Sequence, residues 1–125
     1  MTRDDAEAFA RDWIAAWNRR DIEWVLGRYA EDCVFTSPKA AVAVGAALVE
    51  GKAALRRYWQ AGAARVKEFG FSLDRVTFDA DKREVVVVYV SRSTGTPTRA
   101  IEVFRFRQDG RVGEAEAWYG ATLAP

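Results

Sequence analysis

The spacing of apolar residues is mainly helical before Phe69 and strand-like after it, which restricts the fold to a largely helical front joined to a stranded back. In the front, Phe9, Trp13 and Trp17 recur at every fourth position with Ala6 and Ala10 on the same side, which predicts an amphipathic helix over 4–18. Asp4 followed by Glu7 offers a capping box at its start. Asn18-Arg19-Arg20 interrupts the pattern, and Ile22, Val25, Leu26 and Tyr29 carry a second helix from Asp21 to about Ala30, antiparallel to the first because the link is short. Cys33 to Ser37 reads as a short strand stopped by Pro38, and Leu55, Trp59, Ala63 and Val66 mark a third helix from Gly51 to about Val66. Between them, Lys39–Glu50 is apolar without a period, so it is expected to pack, either as a lid over a cavity or at a subunit contact.

The back half reads as strands. Phe69, Phe71 and Leu73 alternate with polar residues and the apolar phase then moves to Val76 and Phe78, which predicts a bulge near Asp74-Arg75. Val85 through Val90 is apolar on both parities, as a central strand buried on both faces requires. Turns are expected at Asp79–Arg83 and Ser93–Thr98, and a final hairpin joins Arg99–Arg107 to Arg111–Thr122 around Asp109-Gly110. With Asp109 and Gly110 as a two-residue turn, Arg105 faces Glu114, Ile101 faces Trp118, Phe104 faces Ala115 and Glu102 faces Ala117. Helices followed by antiparallel strands make the class α+β.

At 125 residues, half of them hydrophobic, one domain spanning 1–125 with a substantial core is expected. Nineteen basic against 18 acidic side chains argue against nucleic acid as a partner. No apolar run approaches the ~20 residues that cross a bilayer, and the polar start Met1-Thr2-Arg3-Asp4-Asp5 is not a signal peptide. A lone cysteine, Cys33, excludes an internal disulfide and fits a reducing cytoplasm, where it is expected to be a small buried hydrophobe. The chain has no histidine, which excludes Ser–His and Cys–His catalysis and histidine-built metal sites. No acidic cluster has metal spacing and Gly51-Lys52-Ala53-Ala54 lacks the other glycines of a phosphate loop, so neither metal nor cofactor is expected.

The hairpin register puts Glu102 on one face with Ala100, Phe104 and Phe106. A carboxyl among aromatic rings either loses its proton reluctantly, as a general acid or neutral hydrogen-bond donor does, or is neutralised by Arg99 or an arginine of the third helix, or is hydrated at the open end of the sheet. Around it, Trp13, Trp17, Phe35, Tyr58, Trp59, Phe104 and Tyr119 are candidates to line a pocket for a small apolar or aromatic molecule, and Tyr89 and Ser37 join Glu102 as candidate catalytic groups. Each ring taken singly is also an ordinary core residue.

Three segments carry a family resemblance: Trp13-Ile14-Ala15-Ala16-Trp17-Asn18-Arg19-Arg20-Asp21, Tyr29-Ala30-Glu31-Asp32-Cys33-Val34-Phe35-Thr36-Ser37-Pro38, and Gly51-Lys52-Ala53-Ala54-Leu55-Arg56-Arg57-Tyr58-Trp59. With the order of elements, they resemble the nuclear-transport-factor-2-like superfamily and its SnoaL-like branch. The resemblance implies a cone, in which a curved antiparallel sheet of four long strands and a short one wraps three N-terminal helices around a pocket. It also implies a homodimer paired through the outer sheet face. Activity is not implied by the fold, which hosts isomerases, cyclases, hydrolases and non-catalytic binding or interaction modules. The ketosteroid isomerase pattern of tyrosine, aspartate base and protonated acid falls on Trp13, Ser37 and Glu102, so only the acid is retained. The aspartate–histidine pair of the polyketide cyclases is impossible without histidine. Of the arginine between two acids in the epoxide hydrolases, Arg99 and Glu102 supply a part.

Overall fold

A computed structural model describes residues 1–123; the last two residues of the expected domain, Ala124 and Pro125, lie outside them. In chain order the elements are α1 (Arg3–Asn18), α2 (Ile22–Gly27), β1 (Tyr29–Thr36), α3 (Pro38–Val44), β2 (Leu48–Glu50), α4 (Lys52–Ala63), β3 (Ser72–Asp79), β4 (Glu84–Ser91), β5 (Thr98–Phe106) and β6 (Val112–Thr122). The strands form one curved sheet in the order β2-β1-β6-β5-β4-β3, so the α+β architecture is as expected. β1 runs parallel to β6, whereas all other neighbours are antiparallel. The parallel pair arises because β1 enters the sheet from a helix rather than a hairpin and docks on the last strand of the chain. No helix among the described residues is long and apolar enough to cross a membrane.

Several local expectations are corrected by backbone hydrogen bonding. The α1 cap is Thr2, whose Oγ1 accepts from the Asp5 N–H at 3.1 Å while the Asp5 carboxylate accepts from the Thr2 N–H at 2.8 Å. Thr2 and Asp5 have the same spacing as Asp4 and Glu7, and the earlier pair lengthens the helix. Asp21 caps α2 rather than opening it, accepting from the Trp24 N–H at 3.0 Å. That helix ends at Gly27, because Tyr29 is drawn into β1 opposite Val112 and its ring is fully buried against Trp59.

Lys39–Glu50 is not an irregular lid. Ser37 caps α3, with Pro38 in the first turn, and Leu48–Glu50 pairs with Val34–Thr36 as an edge strand. Helices and strands thus number four and six among the described residues, where three and five were expected.

The back half follows its pattern closely. The β3 register slips between Leu73 and Arg75 as the phase change predicts, and the Asp74 carboxylate left at the bulge takes Arg99. In the hairpin, Glu102 faces Ala117 and Phe104 faces Ala115, as expected. The turn itself differs. The Gly110 N–H donates to the Arg107 carbonyl and the Arg107 N–H to the Arg111 carbonyl, which makes a three-residue loop with Gly110 at φ 85°. A second irregularity, between Arg105 and Phe106, restores the register in the strand body.

The core lies between α1, α4 and one sheet face. Phe9 meets Phe104 and Phe106 edge-on at 4.9 and 5.0 Å between ring centroids, and Trp13 meets Phe104 at 5.5 Å. The segment between α4 and β3 is held by polar contacts from the end of α1. Arg20, itself at φ 60°, donates to the carbonyls of Ala63, Val66 and Lys67 and lies over the Phe69 ring. The Asn18 side chain both donates to the Phe71 carbonyl, at 2.9 Å, and accepts from its N–H, at 2.8 Å, as a neighbouring strand would. Replacing Arg20→Met keeps the backbone strain but withdraws the guanidinium from those carbonyls. It is expected to cost about 1–3 kcal/mol, seen as a lower urea midpoint and as faster amide exchange confined to residues 63–71.

Candidate active site

The inner face of the last three strands is built in rows. Tyr89, Ala100 and Tyr119 form one row, Val87, Glu102 and Ala117 the next, and Val85, Phe104 and Ala115 the third. The alanines decide where space is left. Between Tyr89 and Tyr119, Ala100 opens a gap above Glu102, whereas Phe104 fills the row beneath it and is sealed by Phe9 and Trp13. The result is a cavity of about 150 Å³. Its walls come from Trp13 and Trp17 on α1, Tyr58 and Trp59 on α4, and Phe35 at the end of β1.

Nine of the sequence candidates line this cavity together: the five wall residues just named, with Ser37, Tyr89, Glu102 and Tyr119. Phe104 is the exception; it is the floor of the core and does not reach the space. Trp13, Ser37 and Glu102, the three positions matched to the isomerase pattern, face one cavity. Arg99 lies on the outer face with Asp74 and supplies nothing to it.

Other lining residues carried little sequence signal. Phe69, Phe71 and Val66 come from the segment tied down by Arg20 and Asn18. Ser91 extends the inward parity of Val85, Val87 and Tyr89 and was legible by continuing that strand; Ser93 follows it, with the two hydroxyls 2.8 Å apart. Lys39 is at the rim, its Nζ 4.2 Å from the centre of the Tyr119 ring. Beyond Lys39 the apolar segment turns away, and Ala43, Val44 and Leu48 border a separate open hollow against α4.

Glu102 is only 4% exposed. Neither neutralising partner expected for it is present: Arg99 pairs with Asp74, and Arg56 of α4 holds Glu23 in a two-point contact at 2.9 and 3.0 Å. Among the described residues no cation lies within ion-pair distance of its carboxylate. No group of three or more Cys, Asp or Glu side chains among them can hold a metal ion.

The SnoaL-like domain model matches residues 10–115. The chain belongs to the SnoaL-like domain family. Comparison with curated proteins gives no match. Among solved structures, a SnoaL-like protein of unknown function from Burkholderia thailandensis is 29% identical with a TM-score of 0.87, over 96% of this chain and 98% of that one. A steroid delta-isomerase from Pseudomonas aeruginosa is 24% identical with a TM-score of 0.71, over 93% of this chain and 80% of that one. An NTF2-like protein of unknown function from Burkholderia xenovorans is 17% identical with a TM-score of 0.75, over 98% and 90% of the two chains.

In this SnoaL-like domain, burial alone pushes the Glu102 pKa up to about 8, since a carboxylate there would lose its hydration without gaining a partner. The carboxyl is therefore largely protonated at neutral pH. Tyr29, Tyr89, Tyr58 and Tyr119 are raised too, first by burial and secondarily by Glu102, so all four remain neutral phenols. Ser37 opposes part of the rise at Tyr58 and Tyr119, and its Oγ accepts from the Lys39 N–H at 3.2 Å.

A proton held to about pH 8 in the folded chain, but released near 4.5 once unfolded, ties stability to pH. The contribution is whole below pH 4.5 and is lost as pH rises to about 8, a decline on the order of a few kcal/mol. With no histidine in the chain, no imidazole masks this window. Urea unfolding at pH 5, 6.5 and 8 is expected to follow that decline in the parent protein and to lose most of it in Glu102→Gln.

Proposed function

We propose that this SnoaL-like protein binds a small, flat, largely apolar molecule and that protonated Glu102 is its general acid, with Tyr89, Tyr119 and Tyr58 as accompanying hydrogen-bond donors. The observation that carries this reading is the Glu102 carboxyl, buried in an aromatic-walled cavity with no cation beside it. A neutral acid at such a place can protonate, or donate to, an oxygen on which negative charge develops, and low polarity around it strengthens the interaction. The Pseudomonas aeruginosa protein is named a steroid delta-isomerase, and the ketosteroid isomerase pattern matched above includes a base as well as an acid. Here Ser37 stands at the matched base position and its oxygen is engaged in capping α3. The acid step is therefore the chemistry supported, in an isomerase, cyclase or hydrolase that needs no cofactor.

The same helix-capping role of Ser37 favours a second reading, a non-catalytic ligand carrier or dimeric interaction module. The two separate on turnover by the parent and on one variant. For a ketone- or epoxide-bearing one-ring compound found to turn over, Glu102→Gln should lower kcat by about 10²-fold or more with little change in KM. The parent rate should be level below pH 8 and fall above it as the acid ionises. Unchanged turnover in the variant would remove Glu102 as the acid, and binding without turnover by the parent would leave the carrier reading.

We also propose a homodimer through the outer sheet face. Trp118 is 55% exposed there and continues across the strands into Ile101 and Val88, an apolar row next to Arg99, Arg105, Glu114 and Glu116. Sedimentation is expected to report a dimer for the parent chain and a monomer for Trp118→Glu.

A further inference from the structure

Lys39 follows directly from the Ser37 cap and the Pro38 turn, so its place at the cavity rim is set by the start of α3. Its ammonium lies over the Tyr119 ring and, among the described residues, has no carboxylate within ion-pair distance. Several cations elsewhere in the molecule are paired, among them Lys52 with Glu31, Arg56 with Glu23 and Arg107 with Asp32. Glu102 lines the same cavity but makes no ion pair with Lys39.

Three donor-only groups, the Lys39 ammonium and the Trp13 and Trp17 indoles, stand in or beside this space. The indole N–H groups of Trp13 and Trp17 are buried beside the cavity without an acceptor, as is the Tyr29 hydroxyl deeper in the core. An ammonium and an indole can only donate, and hydroxyls can turn to do so. Such a site is completed by a ligand rich in acceptors, and a single unpaired cation is matched by a single negative charge.

We propose that the cavity takes a flat monoanion of the aryl carboxylate class, with its apolar body among the tryptophans and its charged end at Lys39. This rests on the small-molecule reading above and narrows it. A volume of about 150 Å³ admits a body of roughly one ring. The apolar walls and the presence of one lysine as the only cation lining the cavity, among the described residues, argue against a polyanion.

Benzoate and benzamide share a shape and differ in charge, so they make the test. Titrations of the purified chain at pH 7 and low salt, followed by tryptophan fluorescence and by calorimetry, are expected to show benzoate binding about tenfold more tightly than benzamide. Lys39→Met should bring the two within about twofold of each other by weakening benzoate alone, and Lys39→Arg should keep the preference. Circular dichroism identical to the parent checks that each variant folds. Equal affinities in the parent, or a preference that survives in Lys39→Met, would overturn the anion proposal while leaving the pocket reading intact. Binding of neither probe would overturn both.

Discussion

Strand pairing sets Ala117 opposite Glu102 and Ala115 opposite Phe104, and the room those alanines leave is shared between the helices and the cavity. Where Phe104 fills its row, α1 closes down on the sheet through Phe9 and Trp13. Where the row above Glu102 has Ala100 between two tyrosines, nothing fills the gap. A one-residue slip would turn Glu102 outward and bring Ile101 and Val103 in, exchanging an acid-bearing cavity for a solid core. Core and site are thus consequences of one register.

The same register explains the electrostatics. Glu102 is flanked across the strands by Val87 and Ala117, neither of which can stabilise a charge, and the nearest arginines in sequence, Arg99 and Arg105, are on the opposite face because side chains alternate. The carboxyl stays protonated for want of a partner. Its desolvation is offset by the rest of the fold, in particular by the aromatic contacts around Trp13 and Trp59.

Much of this was legible beforehand, for identifiable reasons. Aromatic residues at every fourth position on α1, the phase change at Asp74 and the Asp109-Gly110 turn are signals carried by neighbouring residues. The hairpin register was right even though the turn has three residues rather than two, because a second irregularity beside Arg105 compensates. Phe104 was misplaced for a different reason: parity tells which face a residue is on but not how far along that face the helices extend.

Sequence by itself determined the helical front, the stranded back and the inward face of Glu102, since periodicity and turn chemistry act between residues close in the chain. Tertiary structure decided the rest. It brought β1 alongside β6 in parallel, folded Lys39–Glu50 into α3 and β2, sent Arg99 to Asp74 and Arg56 to Glu23, and stood Lys39 over Tyr119. Those outcomes depend on which distant groups meet, and the energy of each meeting is set by packing and desolvation that no local pattern records.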